Sequence, residues 1–218
     1  MGERTNFFDG YEKARSANNV VSYYDQNAVV YEKTLKELGY KDTTDYGANT
    51  LLQHLQENMK EKTVDQFEVL DLGCGSGLTG VSLNQSGFKK VDGVDPAKGM
   101  LEMATKRNVY RNVVEGIITD TQKLSFSDAQ YDGVLCIGCF TRGHIVLKDG
   151  LQEILRILKN GGIAVYTVST TMDLVATLEE HFEFFKQKKL ELLKVEKKFY
   201  YSSNGDRGYC NVYVVRKM

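Results

Sequence analysis

Asp71, Gly73, Gly75 and Gly77 alternate along FEVLDLGCGSGLTG, residues 67–80, where a short apolar run gives way to glycine. Two ligand-binding patterns overlap there. Gly75-Ser-Gly77-Leu-Thr-Gly80 has the G-x-G-x-x-G spacing of a dinucleotide loop, and Asp95 follows about twenty residues on. The other pattern, Asp71-x-Gly73-x-Gly75-x-Gly77, starts within the strand and sets a carboxylate two residues ahead of the first glycine. That charge repels a pyrophosphate and suits a ligand carrying positive charge.

S-adenosylmethionine has an ammonium and a sulfonium and no phosphate. Bare glycine backbone lets its methionine portion lie against the main chain. Asp95, closing the next strand, can accept from both hydroxyls of a ribose in either ligand, and disfavours a 2′-phosphate. Asp120, in GIITDTQKLSF, is expected to close the strand after that and to accept from an adenine amino group. Three successive strands ending in aspartate fit the ligand crevice of an open α/β sheet; taken singly, each fits a helix cap or turn. A short-chain dehydrogenase also needs a helical Tyr-x-x-x-Lys. The one match, Tyr213 to Lys217, lies in an extended run that separates the pair by roughly 13 Å.

Further along, His144 in FTRGHIVL stands just past the fourth expected strand, as a candidate general base or an exposed loop histidine. Arg142 beside it could meet an acidic acceptor. Cys136-x-x-Cys139 has half the spacing of a zinc site. An odd separation in a strand sends its side chains to opposite faces, and no second pair has metal spacing, so no metal is expected. Cys139 is expected to border the acceptor pocket. Tyr24, Ala28 and Tyr31 share one helix face at i, i+4 and i+7, as a lid over the crevice or as plain packing.

The elements that must position these residues alternate. Strands are expected at Glu68–Leu72, Lys90–Val94, Val113–Thr119, Asp132–Ile137 and Ile163–Ser169, with helices near 78–86, 97–107, 147–159 and 173–188. Val20–Leu38 and GANTLLQHLQENMK read as two earlier helices. The tail reads as two strands around a turn at Ser203–Gly208, so a largely parallel sheet ends in an antiparallel pair. Residues 1–44 are expected to form an arm with a lid helix, and residues 45–218 the ligand-binding domain.

Composition narrows the class. Of 218 residues, 42% are hydrophobic and 26% charged, with a formal charge of −1, which suits a globular domain without a broad nucleic-acid face. No apolar run is long enough to span a bilayer, and the first residues lack the core of a secretory signal. Cys74, Cys136, Cys139 and Cys210 are too scattered for a disulfide framework, so a cytoplasmic home is expected.

VLDLGCGSG, VDGVDPAKGMLEMA, ITDTQKLSFSDAQYDGVLCIG and ILKNGGIAVYTVS together resemble the ordered motifs of class I S-adenosylmethionine-dependent methyltransferases, over roughly residues 45–218. YYDQNAVVYEKTL and GVDPAKGMLEMA resemble further the Williams–Beuren-region methyltransferase-like subgroup. The resemblance implies a three-layer, Rossmann-like, seven-stranded sheet with its last strand reversed. It implies that Gly73, Cys74 and Gly75 back the methionine part, with Asp71 near its amino group and Asp95 on the ribose. It implies Pro96 and Met100 around adenine, Asp120 and Thr121 at its edge, and Ile137 and Gly138 beneath the sulfonium. Tyr24 and Tyr31 would touch the cofactor, with Tyr24 and His144 as candidate catalytic groups. CIGCF stands where amide- and nucleobase-modifying relatives carry Asn/Asp-Pro-Pro-aromatic, which leaves a small-molecule O, N or S acceptor. The expectation is therefore a small-molecule methyltransferase, monomeric or homodimeric, releasing S-adenosylhomocysteine. The alternatives are a silent cofactor-binding sensor or partner subunit, and an NAD-dependent oxidoreductase.

Overall fold

The computed structural model describes residues 10–15, 19–37, 41–170, 179, 181–182, 185–186, 190–203 and 206–218. Residues 10–15 are helical. Then come α1 (Val20–Glu37), α2 (Lys41–Asn58), a 3₁₀ turn (Val64–Gln66), β1 (Glu68–Leu72), α3 (Leu78–Gln85), β2 (Lys90–Asp95), α4 (Lys98–Lys106) and β3 (Asn112–Glu115). They are followed by β4 (Tyr131–Phe140), α5 (Leu147–Ile157), β5 (Leu158–Ser169), β6 (Leu190–Ser203) and β7 (Asp206–Lys217). The helix expected near 173–188 and the Asn204-Gly205 turn fall largely outside the described residues.

The seven strands form one sheet in the order β3-β2-β1-β4-β5-β7-β6. The first five are parallel; β7 runs antiparallel to both β5 and β6. Successive residues of β1 feed opposite faces. Leu70 and Leu72 pack with Val134, Tyr166 and the α5 residues Leu151 and Ile154. Val69 packs with Leu135, Val165 and the α2 residues Leu51 and Leu55. Both faces are thus covered by helices, which is why β1 is buried at four of its five positions. In α5 the residues Leu147, Leu151, Ile154 and Ile157 recur at helical spacing and all are buried.

Three strands differ from expectation: β4 runs on past Ile137 to Phe140, β5 starts at Leu158 rather than Ile163 because α5 already ends at Ile157, and β3 is short. The third strand does not run from Val113 to Thr119; it stops at Glu115, so Asp120 sits in the loop beyond it. The sheet edge explains this. β3 has only β2 as a neighbour, and their last pair is Asp95 with Glu115. Beyond Asp95 comes Pro96, which has no N–H to extend the ladder, and then α4. Only Gly116 N still donates to Asp95 O, at 3.1 Å.

Candidate active site

The strand order reverses between β1 and β4, and the carboxyl ends of the parallel strands there open into a cavity of about 790 Å³. β1 turns back over β2: Gly73 N and Cys74 N both donate to Val94 O, at 2.8 and 2.9 Å. Gly73, Gly75 and Gly77 all have positive φ, which L side chains rarely tolerate. Gly73 has a further reason to be glycine. A Cβ there would sit 2.1 Å from Cys139 Sγ, whose thiol lies 3.4 Å from Leu72 O. Gly75 differs, because a Cβ there would meet nothing within 4 Å. That open space is the cavity itself, so bare backbone faces whatever fills it.

Asp95 reaches across from β2. Its Oδ2 accepts from Gly75 N at 3.0 Å and its Oδ1 from Ala97 N at 2.9 Å. Burial pushes its carboxyl up to about 6, against the pull of those two amides. Each oxygen keeps a lone pair for a ligand hydroxyl. Pro96 and Met100 continue the wall, and Met100 packs with Ala28 and Ala97 beneath Tyr24 and Tyr31. Ile137 and Gly138 line the floor, with Gly138 N held by Thr167 Oγ1 at 2.8 Å. Asp120 lies exposed at the rim.

Three of the expected residues are not on the cavity wall. Asp71 is fully buried behind the loop, where its Oδ2 accepts from the Tyr110 hydroxyl at 2.7 Å. Among the described residues its Oδ1 has no hydrogen-bond partner. Burial pushes this carboxyl up to about 7, opposed by Tyr110 and reinforced by Asp95. Cys74 is buried beneath the turn, and a Cβ on Gly93 would meet its sulfur at 3.1 Å. Thr121 lies outside the wall, its amide directed at Thr119 Oγ1, 3.3 Å away.

The other end of the cavity is aromatic. Tyr24 and Tyr31 meet edge to face, with ring centroids 5.1 Å apart. The Tyr24 hydroxyl lies 3.1 Å from His144 Nε2. Tyr11, from the helical segment 10–15, lies 3.3 Å from His144 Nδ1 and donates to Arg142 O at 2.8 Å. Burial lowers the His144 pKa, with Arg142 O opposing. Arg142 itself is exposed at the rim, and Cys139 lines the floor beside Ile137.

The cysteine pair departs from the sequence argument. Cys136 and Cys139 do not point to opposite faces; both join the core cluster of Leu70 and Leu72, and each thiol is beside the other. The register of β4 against β5 shifts between Cys136 and Phe140, and Gly138 has φ +85°. That bulge adds the residue that restores Cys139 to the face of Cys136. No group of three or more His, Cys, Asp or Glu residues that could hold a metal occurs among the described residues.

Sequence reasoning missed Tyr11, Tyr110 and the Glu32, Arg107 and Ser76 cluster under α1. Glu32 of α1 pairs with Arg107 and accepts from Ser76 Oγ at 2.9 Å, while Arg107 Nε donates to Ser76 O at 2.7 Å. Asp25 Oδ1 accepts from Gly99 N at 2.5 Å. No periodicity marks these residues; their partners lie 30 or more positions away. The dehydrogenase-like pair is structural: Tyr213 is in the core and Lys217 Nζ donates to Leu158 O.

Comparison with known proteins follows the same lines. Residues 69–162 match a family described as a methyltransferase domain. Methyltransferase-like protein 27 from Homo sapiens is 32% identical over 103 residues, covering 47% of this chain and 40% of that protein. A demethylmenaquinone methyltransferase from Clavibacter sepedonicus is 36% identical over 94 residues, covering 43% and 38%. The chain thus spans about two fifths of the length of these curated relatives. A SAM-dependent methyltransferase structure from Methanosarcina mazei superposes with a TM-score of 0.56 at 15% identity, covering 73% of this chain and 96% of the other. These matches identify residues 69–162 as a methyltransferase domain, and the glycine turn, the Asp95 carboxylate and the reversed seventh strand fit the class I SAM-dependent kind.

Proposed function

We propose that the protein methylates an O, N or S atom of a small molecule and releases S-adenosylhomocysteine. One observation carries the reading. The open space over Gly75 beside Asp95 is continuous with the Tyr24–His144 end, so one cavity has room for cofactor and acceptor together. Its volume is typical of a small-molecule site.

Bound S-adenosylmethionine supplies a methyl group on a cationic sulfur. The protein's part is to align the partners and exclude water. In this reading Asp95 holds the ribose hydroxyls, and Gly73, Cys74 and Gly75 back the methionine portion. Pro96 and Met100 enclose adenine, with Asp120 and Thr121 at its edge and Ile137 and Gly138 beneath the sulfur. Asp71 acts from behind the loop on the amino group. Tyr24 and Tyr31 close the site from α1. Cys139, Arg142 and His144 face the acceptor, and His144 takes its proton. Residues 1–44 serve as arm and lid and residues 45–218 as the methyltransferase unit, although α2 begins at Lys41, just before that boundary. The four free, buried thiols suit work in the cytoplasm. Among the described residues no helix is long and apolar enough to cross a membrane.

The test is a screen of metabolite extracts for methyl transfer from labelled S-adenosylmethionine, with Asp95→Ala as control and parallel titrations of S-adenosylmethionine and NADH. Transfer that the variant loses supports the reading. Tight NADH binding, or cofactor binding with no transfer to any extract, refutes it.

A further inference from the structure

The contacts of His144 determine which ring nitrogen carries its proton. Nδ1 lies 3.3 Å from the carbonyl oxygen of Arg142, and a carbonyl only accepts. Nδ1 also lies 3.3 Å from the Tyr11 hydroxyl, whose single proton is already donated to the same carbonyl at the shorter distance of 2.8 Å. Towards Nδ1 the Tyr11 oxygen therefore acts as an acceptor too. Both contacts are satisfied only by Nδ1–H. In the neutral ring Nε2 is then bare, and the Tyr24 hydroxyl 3.1 Å away is its donor. Both tyrosine rings also pack on the imidazole, at centroid distances of 5.8 Å for Tyr11 and 5.4 Å for Tyr24.

We propose that Tyr11 is a positioning residue: with the Arg142 carbonyl it fixes His144 as the Nδ1–H tautomer, leaving Nε2 bare at the acceptor end and selecting acceptors that present a hydroxyl. The inference rests on the methyltransferase reading for its substrate but not for its tautomer. A bare Nε2 aids an O–H acceptor, which must lose a proton as it reacts. It adds little for a thiolate or a neutral amine, whose lone pair is already available. With S-adenosylmethionine bound, the acceptor hydroxyl would give its proton to the Tyr24 oxygen while Tyr24 passes its own to Nε2, the acceptor oxygen would bond the methyl carbon, and sulfur would keep the electron pair of the broken carbon–sulfur bond. The positive charge leaves sulfur and appears on the imidazolium, whose Nδ1–H still donates to the Arg142 carbonyl. Nε2 then returns its proton to water.

The surroundings suit a ring that is neutral before the reaction. Glu12 and Arg15 pair with each other beside Tyr11, and the Arg142 guanidinium and Asp149 lie at the cavity wall. Burial pushes the Tyr11 phenol up to about 12 and raises Tyr31 further, so both stay protonated.

The chain has three histidines, so ¹⁵N-labelled full-length protein gives a resolvable imidazole spectrum, with His144→Gln identifying the signals. Long-range ¹H–¹⁵N correlations above the His144 pKa are expected to show Nδ1 protonated and Nε2 bare. In Tyr11→Phe, which keeps the ring contact, the Nδ1–H population should fall towards the mixture of free histidine. Transfer to the acceptor found by extract screening should drop on the order of 10-fold, within the 10²–10⁴ of a whole base, with cofactor affinity unchanged. A wild-type Nε2–H tautomer overturns the proposal, as does an unaltered tautomer in Tyr11→Phe. Methylation confined to thiols overturns the hydroxyl preference. Absence of cofactor binding defeats the methyltransferase reading while leaving the tautomer result intact.

Discussion

The hydroxyl of Tyr110 joins the two elements that flank the glycine turn: it donates to Asp71 Oδ2 of β1 at 2.7 Å and accepts from Gly80 N of α3 at 3.1 Å. Tyr110 also leaves no room for a side chain at Gly80, where a Cβ would come within 2.2 Å of its ring. The third glycine of the dinucleotide-like spacing is thus explained by a buried tyrosine.

This arrangement gives Asp71 a distinctive pH signature. Burial raises its carboxyl to about 7, whereas an unfolded aspartate titrates near 4. The folded state holds this proton more tightly, so the stabilisation is complete below about pH 4 and is lost as pH rises through about 7. Asp71→Asn removes that loss. Chemical denaturation of wild type and variant across pH 4 to 8 should show the variant gaining, relative to wild type, on the order of 2–4 kcal/mol. Any fixed cost of the buried amide shifts the whole difference curve without changing its slope. A flat difference curve would show that Asp71 is ionised throughout.

Gly73 gives a double-mutant test. Gly73→Ala places a methyl against Cys139 Sγ on a backbone at φ +73°. The left-handed backbone costs roughly 1–2 kcal/mol and the clash about 1–3 kcal/mol more. Cys139→Ala should recover the clash term alone. A urea cycle should therefore give a favourable coupling of about 1–3 kcal/mol between the two changes. Simple additivity would mean that the loop moves away from β4 at little cost.

Local patterning explains which parts were readable before the structure. Glu68–Leu72 was placed to the residue because both faces of β1 are buried and its end is marked by Gly73. Tyr24, Ala28 and Tyr31 were grouped by helical spacing, and they do share the surface against Ala97 and Met100. β3 was overextended because Gly116-Ile117-Ile118-Thr119 looks strand-like, while its lack of a neighbour past Asp95 is a property of the sheet. Cys136 and Cys139 were misassigned to opposite faces because a bulge leaves no trace in alternation. Tyr11 stayed unread because its contact with His144 spans 133 residues and no local pattern requires it.

Cofactor binding should release protons. Asp95 and Asp71 are raised to about 6 and about 7 without a cation nearby. A bound ammonium and sulfonium favour the charged carboxylates and lower both values. Calorimetry of S-adenosylmethionine binding at pH 6.5, repeated in buffers of different ionisation enthalpy, should report release of a fraction of a proton. The release should shrink at pH 8, where both carboxyls are already ionised, and in Asp71→Asn. Proton uptake, or equal release at both pH values, would contradict these assignments.

Helix α1 should yield in sections. α1 has non-helical backbone at Asn27, where the side chain bonds Tyr23 O at 2.9 Å. Ahead of that kink, Asp25 bonds the first turn of α4; after it, Glu32 is tied to Arg107 and Ser76. Arg107→Ala removes the ion pair and the bond to Ser76 O together. These groups are about a quarter exposed, so the loss is about 1–2 kcal/mol, at the low end for bonds to charged groups. Hydrogen exchange should therefore quicken on the order of 10-fold for residues 28–37, while β1, β4 and β5 keep their protection. Ser76 lies between Gly75 and Gly77, so releasing it also loosens the backbone facing the cavity and should weaken S-adenosylmethionine binding. Equal acceleration in β4 would mean that the latch supports the whole fold. Unchanged exchange across residues 28–37 would mean that packing of Ala28 on Met100 holds α1 in place by itself.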